Sequence, residues 1–145
     1  MTEHTIININ GLVKQYNNFT AVNEISFNVI RGEVFALLGP NGAGKTTIVE
    51  IIECLKKANK GEVKVFGIDI QNVKKQVEVK KKIGVMPQNF NAFDWLTVRE
   101  NLEYFRDIYG SNRSVKELIS LVGLNKKKDS LYKTLSGGLK QRLGI

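Results

Sequence analysis

The run Gly39, Pro40, Asn41, Gly42, Ala43, Gly44, Lys45, Thr46 and Thr47 assembles the residue types that hold a polyphosphate. Small residues at 42 to 44 let the backbone wrap an anion with its N–H groups turned inward. A helix that follows adds unpaired N–H donors and the positive end of its dipole. Lys45 extends a cation toward the outer phosphates, and the Thr46 hydroxyl is the usual ligand of the Mg2+ that accompanies them. Every fixed position of the phosphate loop G-x-x-x-x-G-K-[ST] is matched. The expected ligand is a nucleoside triphosphate; the alternative, a chance glycine-rich turn beside a lysine, is set aside because both flanks have the required character.

Such a loop must lie between a strand and a helix. Glu33–Leu38 is a short, mostly apolar run suited to a buried parallel strand. Ile48, Ile51, Ile52 and Leu55 fall at i, i+3, i+4 and i+7, giving the following helix one apolar face. Upstream, Thr5–Ile9 and Ile25–Ile30 carry strand patterns punctuated by turns at Asn10-Gly11 and Arg31-Gly32, so an antiparallel sheet is expected to lead into the loop. Glu62–Phe66 reads as a half-exposed strand closing at Gly67, and Ile83–Met86 as a short strand stopped by Pro87. Beyond it the period changes to that of helices. Thr97-x-x-Glu100 and Ser114-x-x-Glu117 are capping boxes. They are followed by Val98, Leu102, Phe105 and Tyr109 on one face, and by Val115, Leu118, Ile119 and Val122 before Gly123.

With 145 residues, 42% of them hydrophobic, the chain has the composition of a globular domain with a core. No stretch approaches the roughly 20 apolar residues of a spanning helix, and the first ten residues lack a signal-peptide pattern, so a cytosolic protein is expected. Lys plus Arg is 22 against 14 Asp plus Glu, a net +8, concentrated at Lys74-Lys75, Lys80-Lys81-Lys82 and Lys126-Lys127-Lys128. These clusters read as solvated faces, with an anionic membrane surface as the alternative; no aromatics interleave with them, so no nucleic acid is expected. Cys54 lies in an apolar helix pattern and reads as a buried thiol. His4 has no partners at ligand spacing, and no protein-built metal site is expected.

A last helix opens with Leu135-Ser136-Gly137-Gly138-Leu139-Lys140-Gln141-Arg142, a second place where backbone donors and a hydroxyl suit a phosphate. Together with the phosphate loop it resembles the LSGGQ signature of the ATP-binding cassette (ABC) transporter ATPases, with Leu139 in place of the final Gln. The resemblance runs from about Leu12 to Ile145 and implies further roles. Tyr16 looks like the aromatic that stacks on adenine, with Val22 beside ribose and base; the plainer reading is a half-buried strand tyrosine. Gln88 looks like the glutamine that touches Mg2+ and the attacking water. Ser136, Gly137 and Gly138 would close on the ATP held by the phosphate loop of a partner subunit. Phe90, Phe93 and Trp95 lie where the family docks its membrane partner, or they simply plug the helices onto the sheet.

The fold class the resemblance implies is α/β: a P-loop NTPase core of ABC type, with an N-terminal antiparallel β-sheet and a helical subdomain. Residues 1–95 would form the ATP-binding part and residues 96–145 the helical part with the signature. The cofactors implied are ATP and Mg2+. The partners are a second ATP-binding subunit, with a homodimer expected, and a transmembrane permease that holds the protein at the inner face of the cell membrane. The wording of the two motifs looks most like drug-export ATPases.

In the family a buried strand ending in Asp-Glu, a D-loop and a switch histidine follow the signature. Neither Asp69 nor Asp94 closes such a strand, so the chain reads as the N-terminal portion of a longer ATPase. The 145-residue polypeptide is therefore expected to bind ATP without hydrolysing it, and its open strand edges to invite pairing with another chain. A soluble ABC ATPase acting on ribosomes or DNA shares every motif and is the alternative. A GTPase is disfavoured, since Asn125-Lys126-Lys127-Lys128-Asp129 is one residue too long for the guanine reader.

Overall fold

A computed structural model describes residues 4–87 and 90–145, in two compact units that part between Val85 and Met86. The first is built on an antiparallel sheet. Strands β1 (Thr5–Tyr16) and β2 (Phe19–Ile30) form a long hairpin closed at Asn17-Asn18; Asn17 takes φ 50°, which Asn tolerates better than most residues. Strands β3 (Lys60–Val65) and β4 (Ile68–Asp69) extend the sheet in the order β2-β1-β3-β4. Helix α1 (Lys45–Ile52) follows the phosphate loop, and a short helix α2 (Gln76–Lys80) follows a helical turn at Val73–Lys75.

One core unites these elements. Ile9, Leu12 and Val22 from the hairpin meet Ile48 and Ile51 of α1, Val63 and Val65 of β3, and Val79 of α2. The buried Cys54 thiol joins them, and its burial pushes its pKa up.

Four expectations for this unit are corrected. Asn10-Gly11 is not a turn: β1 runs through it, and Gly11, at φ 59°, marks an irregularity where the register with β2 shifts between Ile9 and Leu12. Glu33–Leu38 is not a strand. Among the described residues nothing pairs with it, and Val34 and Leu38 are 98% and 90% exposed. An apolar parallel strand obtains its ladder and its burial from neighbours on both sides; the segment finds no ladder here, and of its apolar residues Leu37 is the one that packs on the core. It is held instead by Phe35 stacking on Phe27 at 4.9 Å and by the Glu33 carboxylate, which accepts from the Ile30 N–H at 2.9 Å. Ile83–Met86 is likewise irregular, with Ile83 packed on the first core while Val85 and Met86 stay exposed. Lastly, α1 stops at Ile52, so Leu55 misses the apolar face and is 66% exposed.

The second unit is helical: α3 (Val98–Tyr109), α4 (Val115–Leu121) and α5 (Gly137–Leu143), with helical turns at Asn125–Lys127 and Tyr132–Thr134. Both capping boxes form as expected. Thr97 Oγ1 accepts from the Glu100 N–H while the Glu100 carboxylate accepts from the Thr97 N–H at 2.7 Å, and Ser114 with Glu117 repeats the arrangement. Gly123, at φ 68°, follows the end of α4. The core gathers Val98, Leu102, Val115, Ile119, Leu124, Tyr132, Leu135 and Leu143. Tyr109, expected on the buried face, is 78% exposed at the end of α3.

Phe90 and Phe93 pack on Phe105 of α3, at 5.8 and 6.3 Å between ring centroids. Trp95 remains exposed, with the Lys133 ammonium 3.1 Å from its ring centroid.

Candidate nucleotide-binding site

The phosphate loop ends on a residue whose conformation and surroundings admit only glycine. Gly44 caps α1 at φ 80°, and a Cβ there would overlap the backbone carbonyl oxygen of Ala21 and lie 3.1 Å from Val22 Cγ2. The loop can therefore seat itself against edge strand β2 only because this side chain is missing. Gly42 is also left-handed, at φ 84°, but has open space around it. Between them, the Ala43 N–H donates to the Pro40 carbonyl at 3.3 Å and tightens the loop.

Lys45 begins α1, and its ammonium donates to the carbonyls of Gly39 and Pro40 at 2.7 and 2.6 Å, so the cation is held against the start of the loop. Thr46 exposes its side chain in the first helical turn, beside Thr47. Backbone N–H groups in a first turn have no intrahelical acceptor and point out of the helix end. Donors, cation and hydroxyl together suit a polyphosphate with a divalent ion. Among the described residues no cluster of three His, Cys, Asp or Glu side chains is placed to hold a metal alone, so Thr46 would share the ion with the phosphates.

Tyr16 ends β1 beside Thr47, which helps lower the pKa of its phenol, while Val22 is buried against Gly44. The structure thus gathers Tyr16, Val22, Gly44 and Thr47 in one place. Sequence reasoning missed the two residues that complete this corner. Lys56 sits 5.3 Å from the Tyr16 ring centroid and pairs with Glu50 of α1 at 2.8 Å. Hydrogen bonding from Lys56 is the chief reason the Tyr16 phenol lies below its ordinary pKa, and Glu50 is the chief reason the Lys56 ammonium lies above its own. Only the three-dimensional course of the chain after Cys54 reveals this, because Lys56 reads in sequence as one more surface lysine.

In the second unit, Ser136 takes the N-cap position of α5, with φ −66° and ψ 159°, but its hydroxyl makes no capping hydrogen bond. Ser136, Gly137 and Gly138 are all exposed. The segment leading to them is tied to α3: the Val98 and Arg99 N–H groups donate to the Ser130 and Lys128 carbonyls at 3.0 and 2.9 Å, and Arg99 pairs with Asp129. Gln88 lies outside the described residues.

Asn101, the buried polar residue of α3, carries no mark in the sequence because it sits among charged neighbours. Its Oδ1 accepts from the Phe93 N–H, and its Nδ2 donates to the carbonyls of Phe93, Leu96 and Thr97 at 3.0–3.2 Å. It fixes the loop carrying Phe93 and Trp95.

A family model described as ABC transporter matches residues 22–145. Over 133 residues the chain is 40% identical to the methionine import ATP-binding protein MetN of Geobacillus kaustophilus, spanning 87% of this chain and 39% of that protein. Over 140 residues it is 36% identical to the linearmycin resistance ATP-binding protein LnrL of Bacillus subtilis, spanning 93% and 44% respectively. The dimeric, post-hydrolysis structure of the ATP-binding cassette MJ0796, bound to ADP and Pi, is similar at a TM-score of 0.75 and 26% identity, spanning 95% of this chain and 66% of that one. The chain therefore spans about two fifths of the length of these curated relatives.

Proposed function

This chain belongs to the ABC transporter family of ATP-binding domains, and we propose that it forms the nucleotide-binding part of a transport ATPase subunit. The residues divide the work. Backbone N–H groups of Gly39, Pro40 excepted, through Thr47 and the Lys45 ammonium bind the phosphates and stabilise charge that develops on them. Thr46, with Gln88, would hold Mg2+, which would supply positive charge to neutralise the phosphate oxygens. Tyr16 offers a face to the adenine and Val22 an apolar wall. Ser136, Gly137 and Gly138 reach the ATP of a second subunit; the free hydroxyl at the N-cap of α5 supports that assignment.

The observation that carries the proposal is the fit of Gly44 against Ala21 and Val22, which sets the phosphate loop beside Tyr16 and the start of α1. The whole protein would hydrolyse ATP as a dimer and work with a transmembrane permease at the inner face of the membrane. No helix among the described residues is long and apolar enough to cross a membrane itself. For direction we propose export, on the wording of the two motifs. The similarity to LnrL supports it, and the similarity to MetN favours import.

Calorimetric titration with Mg-ATP tests the binding function. Lys45→Ala should weaken binding by about 1.5–3 kcal/mol, the scale of a charge-assisted hydrogen bond. Equal affinities in two folded proteins would overturn the assignment of the loop.

A further inference from the structure

The segment after α1 is stitched to the end of β1 at the three residues that precede Tyr16. The Lys14 ammonium donates to the Lys57 carbonyl at 2.8 Å, the Asn59 N–H donates to the Val13 carbonyl at 2.9 Å, and the Gln15 N–H donates to Asn59 Oδ1 at 2.9 Å. The turn leaving the helix is fixed as well, since the N–H groups of Leu55 and Lys56 both donate to the Glu50 carbonyl, at 2.8 and 3.1 Å. These bonds leave Lys56 little choice of position. Its ammonium meets the Glu50 carboxylate on one side and the Tyr16 ring on the other, and the Lys14 ammonium stands 5.1 Å from the same ring.

We propose that Lys56, held by Glu50, is a positioning residue for the base end of the nucleotide site, fixing the Tyr16 ring in the orientation that receives the base. The proposal rests on the reading of Tyr16 as the base platform. A strand-terminal tyrosine with no such partner rotates about two side-chain bonds, and a base that stacks on it must first halt that rotation. A cation held by a carboxylate beside the ring removes part of that cost before the nucleotide arrives. Glu50 matters because it orients the ammonium; without it, Lys56 is an exposed flexible side chain whose pull on the ring is largely averaged away. The lowered pKa of the Tyr16 phenol, for which Lys56 is the chief cause, accords with that placement.

The role has a signature that general electrostatic attraction lacks: it depends on the base and not on the phosphates. The test measures affinity for Mg-ATP and for inorganic tripolyphosphate in the full chain, comparing wild type, Lys56→Met, Lys56→Arg, Glu50→Gln and the Lys56→Met/Glu50→Gln double variant. Lys56→Met should weaken ATP about three- to ten-fold while leaving tripolyphosphate unchanged, and Lys56→Arg should recover most of the loss. Glu50→Gln should shift ATP in the same direction, and the double variant should lose no more than Lys56→Met alone. Equal weakening of ATP and tripolyphosphate by Lys56→Met, or additive losses in the double variant, would overturn the proposal. Tyr16→Ala separates the two levels. If it weakens ATP and Lys56→Met does not, only the role of Lys56 fails; if wild type binds ATP and Tyr16→Ala changes nothing, the platform reading fails and the proposal with it.

Discussion

Replacing Gly44 by alanine strikes the contact on which the nucleotide site is built, and the structure separates its two costs. The first is backbone conformation. At φ 80° an L residue stands in the left-handed region, at about 1–2 kcal/mol. The second is space. The new methyl would overlap the Ala21 carbonyl oxygen, a backbone atom in strand β2 that cannot swing aside as a side chain would. Overpacking of this kind costs about 1–3 kcal/mol further. Gly42→Ala is the internal control: its φ of 84° imposes the first cost, but nothing lies within 4 Å of the added carbon, so it escapes the second.

The expected destabilisation is therefore about 1–2 kcal/mol for Gly42→Ala and about 2–5 kcal/mol for Gly44→Ala. At roughly 4–8 °C per kcal/mol in a small domain, the two melts should be clearly resolved by circular dichroism. Relief of the overlap moves the start of α1 away from β2, so Gly44→Ala should also separate the phosphate loop from Tyr16 and lose ATP binding more completely than it loses stability. Equal melting temperatures for the two variants would refute the claim that the loop is seated on Ala21.

The other predictions concern different parts of the molecule. Asn101→Ala removes a fully buried side chain and the partner of the part-buried Phe93 N–H and should cost about 1–3 kcal/mol in urea unfolding; a loss under about 0.5 kcal/mol would show that the loop does not depend on it. The Glu100 and Glu117 carboxyls are held below their ordinary pKa by the Thr97 and Ser114 backbone N–H groups. Their contribution is thus complete above the unfolded value of about 4.3 and is lost as pH falls through the lower folded values; Glu100→Gln with Glu117→Gln should flatten the acid limb of the stability profile. Tyr16→Ala should cost about 1–3 kcal/mol of ATP binding while Tyr16→Trp is tolerated, and calorimetry showing no loss for the alanine variant would reject base stacking there.

What the sequence disclosed and what it hid follow the range of the interactions. The capping boxes at Thr97 and Ser114 are complete within four residues, and both form as read. The phosphate loop is nearly as local: its glycines, Lys45 and the helix start lie within one short run, although the reason Gly44 must be glycine belongs to Ala21, far away in sequence. Strands are different. Glu33–Leu38 has the residues of a buried strand, but a strand exists only through its partners, and pattern alone cannot supply them. Asn10-Gly11 has the composition of a turn and becomes an irregularity within β1, because β2 and β3 pair with β1 both before and after it, each with a register shift there. Leu55 continues the helical spacing of Ile48 and Ile51, yet the chain leaves the helix at Cys54, which takes φ 59°, and nothing local announces it. Lys56 and Asn101 owe their importance wholly to segments brought to them by folding.

The most direct test of the central claim is residue-resolved: amide resonances of the isotopically labelled protein, followed while Mg-ATP is added. The largest shifts should fall on Gly39 and Asn41 through Thr47, with a second set at Tyr16 and Val22, and Lys45→Ala should move both sets to higher Mg-ATP concentration. Shifts gathered instead on the lysine clusters at residues 74–82 and 126–128, with the loop unmoved, would mean that net charge alone draws the nucleotide and that the loop is not its site.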